Sequence, residues 1–210
     1  LDPVMMRSAI EVGTWDVPLA QEIARRWSGS LASLDHDVTS ILGPSEARQQ
    51  RINEGHEAYK APQEQLISAW NAGLVGSWGG AVEWHPSIVI AEGPSSAVQR
   101  VWLAQVKELF PLIEIERTRL AGWLNGEAER GGFPRTLDVD GTAVVIDDLE
   151  IGQLVRYLGC YREVRVPVDR MRLIRTLREL RNHLAHRRPV DLKAVLELRR
   201  SISADRSLDT

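Results

Sequence analysis

The sequence has almost no cysteine. Of its 210 residues only one, Cys160, is a cysteine. A single cysteine excludes an intramolecular disulfide and any zinc site built from Cys-x-x-Cys pairs. We therefore expect a reducing, cytoplasmic setting in which Cys160 is a packed thiol.

Long apolar runs are also missing. The longest, such as residues 88–91 and 142–146, are far shorter than the roughly 20 residues that a membrane-spanning helix needs. No charged segment followed by an apolar one opens the chain, so we expect no targeting segment and no membrane partner. The first residue is Leu1 rather than methionine, and we therefore suspect a fragment of a longer polypeptide.

Motifs for metal and nucleotide chemistry are absent as well. The five histidines form no HExxH motif, and there is no Walker loop, no GxGxxG and no GxSxG. We therefore expect neither a metal nor a cofactor. Asp138, Asp140, Gly141 and Thr142 resemble the DxDGT motif of haloacid dehalogenase-like phosphatases, but Lys193 is the only lysine that follows them. A hairpin turn at Asp140-Gly141 explains these residues with fewer assumptions.

Apolar residues repeat at helical spacing along most of the chain, which predicts an all-α fold. Between residues 73 and 94, glycines surround Trp78 and Trp84, and we expect a structured loop or a domain boundary there, with Trp70 and these two tryptophans in the core. The predicted domains are a helical N-terminal region of unknown role, residues 1–95, and a helical bundle with a short β-hairpin insertion, residues 96–210. The predicted elements are a helix over 16–27, a helix over 30–42, a weak helix over 45–72, a helix over 97–125 kinked at Pro111, a loop over 126–134, a hairpin over 136–146, a helix over 149–158, a helix from 167 or 169 to 187, and a helix from 191.

Charge is divided unevenly along the sequence. Residues 1–150 hold 12 Lys or Arg against 22 Asp or Glu, whereas residues 151–210 hold 14 against 7. Of the 14 basic residues in the second segment 13 are arginine, the side chain that pairs with phosphate through two parallel hydrogen bonds. This composition favours a nucleic acid or a phosphate ligand. The alternative is that the acidic and basic segments dock on each other.

The strongest cluster lies at the end of the last leucine-striped helix. Four leucines at helical spacing predict its buried face: Leu173, Leu177, Leu180 and Leu184. Asn182 and His186 are one turn apart on the opposite face, and Arg181 lies on the flank. An arginine, an amide and a histidine are the groups needed to bind a phosphodiester, orient it and move a proton.

This Arg-Asn-x-x-x-His pattern resembles the signature of the HEPN superfamily, the nucleotide-binding domain of higher eukaryotes and prokaryotes. The resemblance covers about residues 97–203 and matches that family's order of helices. It implies a metal-independent endoribonuclease in which Arg181 and His186 are the catalytic pair and Asn182 is the polar position. It also implies a homodimer, and fragments that end in a 2′,3′-cyclic phosphate.

The expected partner is RNA, and further side chains near the motif would hold it. These residues are Arg178, His183, Arg187 and Arg188. Since such domains are often fused to sensor parts, we expect the effector module of a defence or toxin system with a regulatory partner or domain. Some toxins of the family have a tyrosine where this sequence has Arg188, so control by nucleotidyl transfer is not supported.

Three other interpretations stay open at this point. In the first interpretation, the motif is only a helix end whose polar side chains cap carbonyl groups and complement the helix dipole. Alternatively, the domain binds nucleotides, RNA or protein without catalysis, because a fold does not fix a function. A transcriptional regulator would need basic N-terminal helices, and the helices predicted before Arg48 offer only Arg25 and Arg26. The same Arg-x4-His spacing also occurs at Arg51 and Arg178, but neither is followed by asparagine.

Overall fold

The structure is a computed structural model that describes residues 2–42, 64–71, 73–91 and 94–209. The described chain is mostly helical, which confirms the predicted helical class. It divides into two compact units, unit 1 over Leu1–Glu108 and unit 2 over Leu109–Thr210. The predicted boundary after residue 95 falls near the start of a long helix, and the two units divide inside that helix. The first part of the predicted 45–72 helix, with Arg51 and His56, lies outside the described residues.

The described part of unit 1 consists of short helices and a hairpin, together with the first part of the long helix. In chain order the elements are α1 Pro3–Gly13, α2 Val17–Arg26, a 3-10 turn at Leu31–Ser33, α3 Leu34–Leu42, α4 Glu64–Asn71, β1 Val75–Trp78, β2 Ala81–Trp84, α5 Pro86–Ala91 and α6 Pro94–Gly131. Asp2 and Asp16 begin α1 and α2, because each side chain accepts a backbone N–H of the first turn.

The glycine-rich segment forms a hairpin rather than the predicted loop. Val75 pairs with Trp84, and Trp78 pairs with Ala81. Gly79 and Gly80 both have positive φ, 59° and 84°, which is the conformation of the two-residue turns that suit the twist of paired strands. The prediction that the tryptophans are core residues was wrong for Trp70, which is exposed, while Trp78 and Trp84 are half-buried.

A buried carboxylate links three elements of unit 1. Glu11 of α1 accepts hydrogen bonds from Lys107 Nζ at 2.7 Å and from Trp78 Nε1 at 3.0 Å, and Arg7 Nε lies 3.3 Å from it. Burial raises the pKa of Glu11, but the hydrogen bonds and charges of Lys107, Trp78 and Arg7 outweigh burial, so the net pKa is below its ordinary value. Glu11 is therefore a carboxylate in the folded protein near neutral pH.

His85 also connects elements of unit 1. Its Nε2 lies 3.1 Å from Asp16 Oδ2, and its Nδ1 accepts the backbone N–H of Ser87 and lies 2.7 Å from the Ser87 hydroxyl. These residues have the composition of a catalytic triad, but Ser87 is only 5% exposed. His85 therefore acts as a cap for the first turn of α5.

The elements of unit 2 follow the prediction closely. After α6 they are β3 Thr136–Val139, β4 Thr142–Val145, a 3-10 turn at Ile146–Asp148, α7 Ile151–Cys160, α8 Val168–Ala185 and α9 Leu192–Arg206. The predicted hairpin is confirmed, and Asp140 has a φ of 53° in its turn. The predicted loop over 126–134 was wrong for residues 126–131, because α6 continues to Gly131.

The interior of unit 2 contains both leucines and ions. The four leucines of the predicted stripe on α8 are all buried, which confirms the orientation of that helix. Beside them, Arg170 Nε contacts Asp205 Oδ1 at 2.7 Å, Arg119 contacts Asp205 and Glu116, and the Arg170 guanidinium lies 4.7 Å from the centre of the Trp123 ring. We call Arg119, Arg170, Asp205 and Glu116 the buried ion cluster. It joins α6, α8 and α9.

The prediction that Cys160 is a packed thiol was wrong, because the residue is exposed at the end of α7. Among the residues that the structure describes, no helix is both long enough and apolar enough to cross a membrane.

Candidate nucleic-acid interface

The candidate interface is the exposed face and the C-terminal end of α8. The helix begins after Pro167 and buries its leucine stripe against its neighbours, α7 and α9. Because the buried residues lie on one side, the residues on the other side face solvent. The fold of unit 2 thus fixes which side chains of the motif are available to a ligand.

The end of α8 is closed by backbone hydrogen bonds. His186 is the C-cap residue of α8, and Arg187 follows it in the left-handed conformation with a φ of 56°. The N–H of Arg188 donates to His183 O at 2.9 Å, and the N–H of Arg187 donates to Leu184 O at 3.1 Å. This pair of bonds is the Schellman arrangement, which usually places glycine at the left-handed position.

This geometry bears on the helix-end interpretation. That alternative assigns the capping of carbonyl groups to polar side chains, but backbone N–H groups do the capping here. An arginine in the left-handed region is less favourable than a glycine by roughly 1 kcal/mol. The requirements of the helix end therefore do not explain the choice of Arg187. The favourable interaction of basic side chains with the helix dipole remains.

Six of the seven predicted site residues are exposed. Their side chains make no hydrogen bond or ion pair within the part of the chain that the structure describes. These residues are Arg178, Asn182, His183, His186, Arg187 and Arg188. Asn182 and His186 are i and i+4, so they are neighbours on one exposed face. Two arginines, Arg187 and Arg188, follow directly in sequence.

Arg181 is the exception, because it has a partner that the sequence analysis missed. Its Nη2 donates to Glu150 Oε2 at 2.6 Å. Glu150 is the cap residue of α7, and it exchanges hydrogen bonds with Gln153 in a capping box. The Glu-x-x-Gln spacing before α7 was a signal in the sequence that could have located this fixed carboxylate. Glu150 therefore holds the guanidinium of Arg181 on the flank of α8.

Arg181 and His186 point in different directions. At about 100° per residue, five positions correspond to an angle of about 140° between the two side-chain directions. Arg181 lines an open cleft of about 630 Å³ together with Glu150, Arg117 and Asp148. None of Asn182, His183 and His186 lines that cleft. The structure of one chain thus brings Asn182 and His186 together and places Arg181 beside them on another face.

The charges in this cleft make it a poor site for a phosphate group. Three carboxylates line it against two guanidinium groups, and one of the latter, Arg117, is occupied by Glu114 and by the carbonyl oxygens of Asp147 and Leu149. An anion is therefore better accommodated at the C-terminal end of α8, where Arg178, Arg187 and Arg188 have no carboxylate partner among the described residues. Within the described ranges, no group of three or more His, Cys, Asp or Glu side chains could hold a metal ion.

Comparisons with known proteins add no further assignment. No family model, no curated protein and no solved structure matches this chain.

Proposed function

We propose that this chain is a HEPN-type endoribonuclease that cleaves RNA without a metal ion. The observation that carries the proposal is a set of exposed side chains at the end of α8 that have no partner among the described residues, where backbone N–H groups close the helix. Polar groups that the fold does not use are available to a ligand. Their types, arginine, amide and histidine, match the requirements of phosphodiester cleavage.

His186 is the general base. Its imidazole takes the proton of a ribose 2′-OH, and the resulting oxygen attacks the adjacent phosphorus. The bond from phosphorus to the 5′ oxygen breaks, and that oxygen leaves with a proton from solvent. The products are a 2′,3′-cyclic phosphate and a 5′-OH. DNA lacks the 2′-OH and is not cut.

Arg181 and Asn182 act on the phosphate. The guanidinium stabilises the negative charge that develops on the phosphoryl oxygens, and the Asn182 amide donates a hydrogen bond to one of them. Glu150 orients Arg181, because its own position is fixed by the capping box. Four surrounding side chains contact the RNA backbone, and they are Arg178, His183, Arg187 and Arg188.

A second copy of the chain completes the site. In one chain Arg181 and His186 point about 140° apart on α8, so one phosphate is not enclosed by the two residues of a single helix. A homodimer that pairs the two α8 ends supplies the facing wall. The cellular role that fits such an activity is the effector of a toxin or defence system in the cytoplasm, controlled by a regulatory partner or fused domain.

One observation favours a second candidate function, a non-catalytic RNA-binding module. Glu150 lies 2.6 Å from Arg181 and offsets its positive charge. An arginine that is paired in this way stabilises a transition state less than a free one does. In this alternative the exposed arginines bind RNA, and no bond is broken.

The experiment that separates the two candidates compares wild type with His186→Ala on mixed cellular RNA in EDTA. Cleavage by wild type alone, with 2′,3′-cyclic phosphate ends and with RNA affinity retained in the variant, supports the nuclease. His36→Ala is the matched control, because His36 is an exposed helical histidine in unit 1. Intact RNA in all samples, with RNA still bound, supports the binding module. Single-stranded DNA of the same sequence is the substrate control.

A further inference from the structure

A groove along the first half of α8 has no role in the chemistry described above. It is open, has a volume of about 460 Å³, and is lined by Val166, Val168 and Met171 at one end and by Arg172, Arg175 and Glu179 along the helix. All of these residues belong to unit 2. The groove therefore combines an apolar end with a charged side.

The apolar end is unusually exposed. Val168, the first residue of α8, is 77% exposed, and Val166 and Met171 are half-buried beside it. Most exposed apolar residues of a globular protein occur singly and need no explanation, but three together in a groove offer a surface for a flat apolar ligand. The face of a nucleobase is such a ligand.

The charged side of the groove has one available cation. Arg172 is paired with Asp169 at 2.9 Å, whereas Arg175 is exposed and makes no hydrogen bond or ion pair with any described residue. Glu179, one turn further on, is exposed and offers an acceptor for the amino group of a base. Among the arginines of α8, Arg175 and Arg178 are exposed and have no carboxylate partner within the described residues, which favours an anionic occupant.

The groove continues directly into the motif. At about 100° per residue, Val168, Arg175, Asn182 and His186 lie within about 40° of one line along α8. Arg175 and His186 are 11 positions apart, which corresponds to about 16 Å along the helix axis. A chain that extends along this face from His186 therefore reaches Arg175 and then the apolar end.

We propose that this groove binds the unpaired nucleotides that flank the cleavage position, so that the substrate is single-stranded RNA running along α8. The inference rests on the proposed function for the direction of the chain. A base packs on Val168 and Met171, and its phosphate pairs with Arg175. Bases in a duplex are stacked and paired, and their faces are not available to such a surface.

Binding is tested with a single-stranded RNA of about eight nucleotides whose 2′-O-methyl groups prevent cleavage. Arg175→Ala raises the Kd about fivefold to tenfold, and Val168→Ser raises it about threefold, because a phosphate contact and an apolar contact are lost. Arg156→Ala is the control, since Arg156 is an exposed arginine of α7 without a partner among the described residues. A duplex of the same sequence shows no dependence on Val168.

Two binding results overturn the inference. The first is an equal effect of Arg175→Ala on single strand and duplex with no effect of Val168→Ser, which indicates general attraction by charge. The second is that binding of an acidic peptide depends on Arg175 and Val168 whereas binding of RNA does not. This result assigns the groove to a protein partner.

Cleavage distinguishes failure of the groove from failure of the proposed function. The same single-stranded RNA without 2′-O-methyl groups is the longer substrate, and on it Arg175→Ala and Val168→Ser raise KM and leave kcat unchanged. A dinucleotide is too short to reach the groove, so on it the two variants change neither KM nor kcat. If wild type cuts RNA and neither variant changes KM on the longer substrate, the groove inference is wrong and the nuclease stands. If wild type cuts no RNA but binding depends on Arg175 and Val168 as described, the groove stands and the nuclease proposal is wrong.

Discussion

The two ends of α8 hold arginine in opposite surroundings. Near its start, Arg170 is 3% exposed and is bonded to Asp205, which is fully buried. Near its end, Arg178, Arg187 and Arg188 are exposed and contact no carboxylate among the described residues. Arginines of the first kind hold helices together, whereas arginines of the second kind are available to a ligand. Net charge along the sequence counts both kinds alike and therefore overstates the binding surface.

The largest expected effect comes from breaking the buried ion cluster. Asp205→Ala removes the shared partner of Arg119 and Arg170 and takes a hydrogen bond from the buried Arg170 guanidinium, which should lower the free energy of unfolding by about 3–5 kcal/mol. Urea denaturation measures this loss. Glu163→Ala, at an exposed loop carboxylate, should change stability by less than about 0.5 kcal/mol. Equal losses of unfolding free energy in the two variants would show that the arginine near the start of α8 does not hold the helices together.

A comparable cluster in unit 1 is expected to depend on pH. Glu11→Gln removes the charge that Lys107 and Arg7 contact and should cost about 1–3 kcal/mol near neutral pH. Because the folded pKa of Glu11 is below its ordinary value, its contribution is present above the unfolded pKa and is lost as pH falls through the folded one. The stability difference between wild type and variant should therefore shrink below about pH 4.5. A difference that is independent of pH would contradict the assignment.

Glu150→Gln sharpens the comparison at Arg181, the motif residue that has a carboxylate partner. The amide keeps an oxygen for the capping box of α7 but loses the charge that orients Arg181. We expect kcat to fall about tenfold, KM to change little and stability to change by less than about 1 kcal/mol, since the pair is exposed. Glu150→Asp should recover part of kcat. An increase in kcat would instead identify the contact as inhibitory.

The smallest expected effect has opposite signs in stability and binding. Arg187→Gly relieves the left-handed backbone at the end of α8 and should stabilise unit 2 by about 0.5–1 kcal/mol. The same change removes a phosphate contact, so it should reduce the slope of log affinity against log salt by about 1. Thermal unfolding and RNA titrations at several salt concentrations measure the two effects. A stabilised variant with unchanged salt dependence would show that Arg187 does not contact RNA.

Periodicity was sufficient to predict much of the fold. The leucine stripe of α8, the hairpin at Asp140 and the start of α9 after residue 191 could be derived from local rules, because each depends on residues close together in sequence. The hairpin of unit 1 was not predicted, since its glycines are equally typical of loops. The tertiary pairings were also missed. Arg181 with Glu150 and Arg170 with Asp205 each join residues more than 30 positions apart, and residue type alone cannot select such partners.

The candidate site was predictable in part for the same reason. The exposure of Asn182 and His186 follows from their angle to the leucine stripe. The left-handed Arg187 does not follow from sequence rules, which predict glycine or asparagine at that position of a helix end. The groove at Val168 was equally hidden, because one exposed valine in a sequence looks like any other apolar residue.

The exposed thiol at the end of α7 has a practical consequence. Cys160 is the only cysteine of the chain, so a thiol-reactive dye or spin label attaches at one known position without any substitution. The label would lie in unit 2, at the opposite end of α7 from Glu150. In a homodimer two labels are present, and the distance between them, measured by spectroscopy, reports directly on how the two copies are arranged.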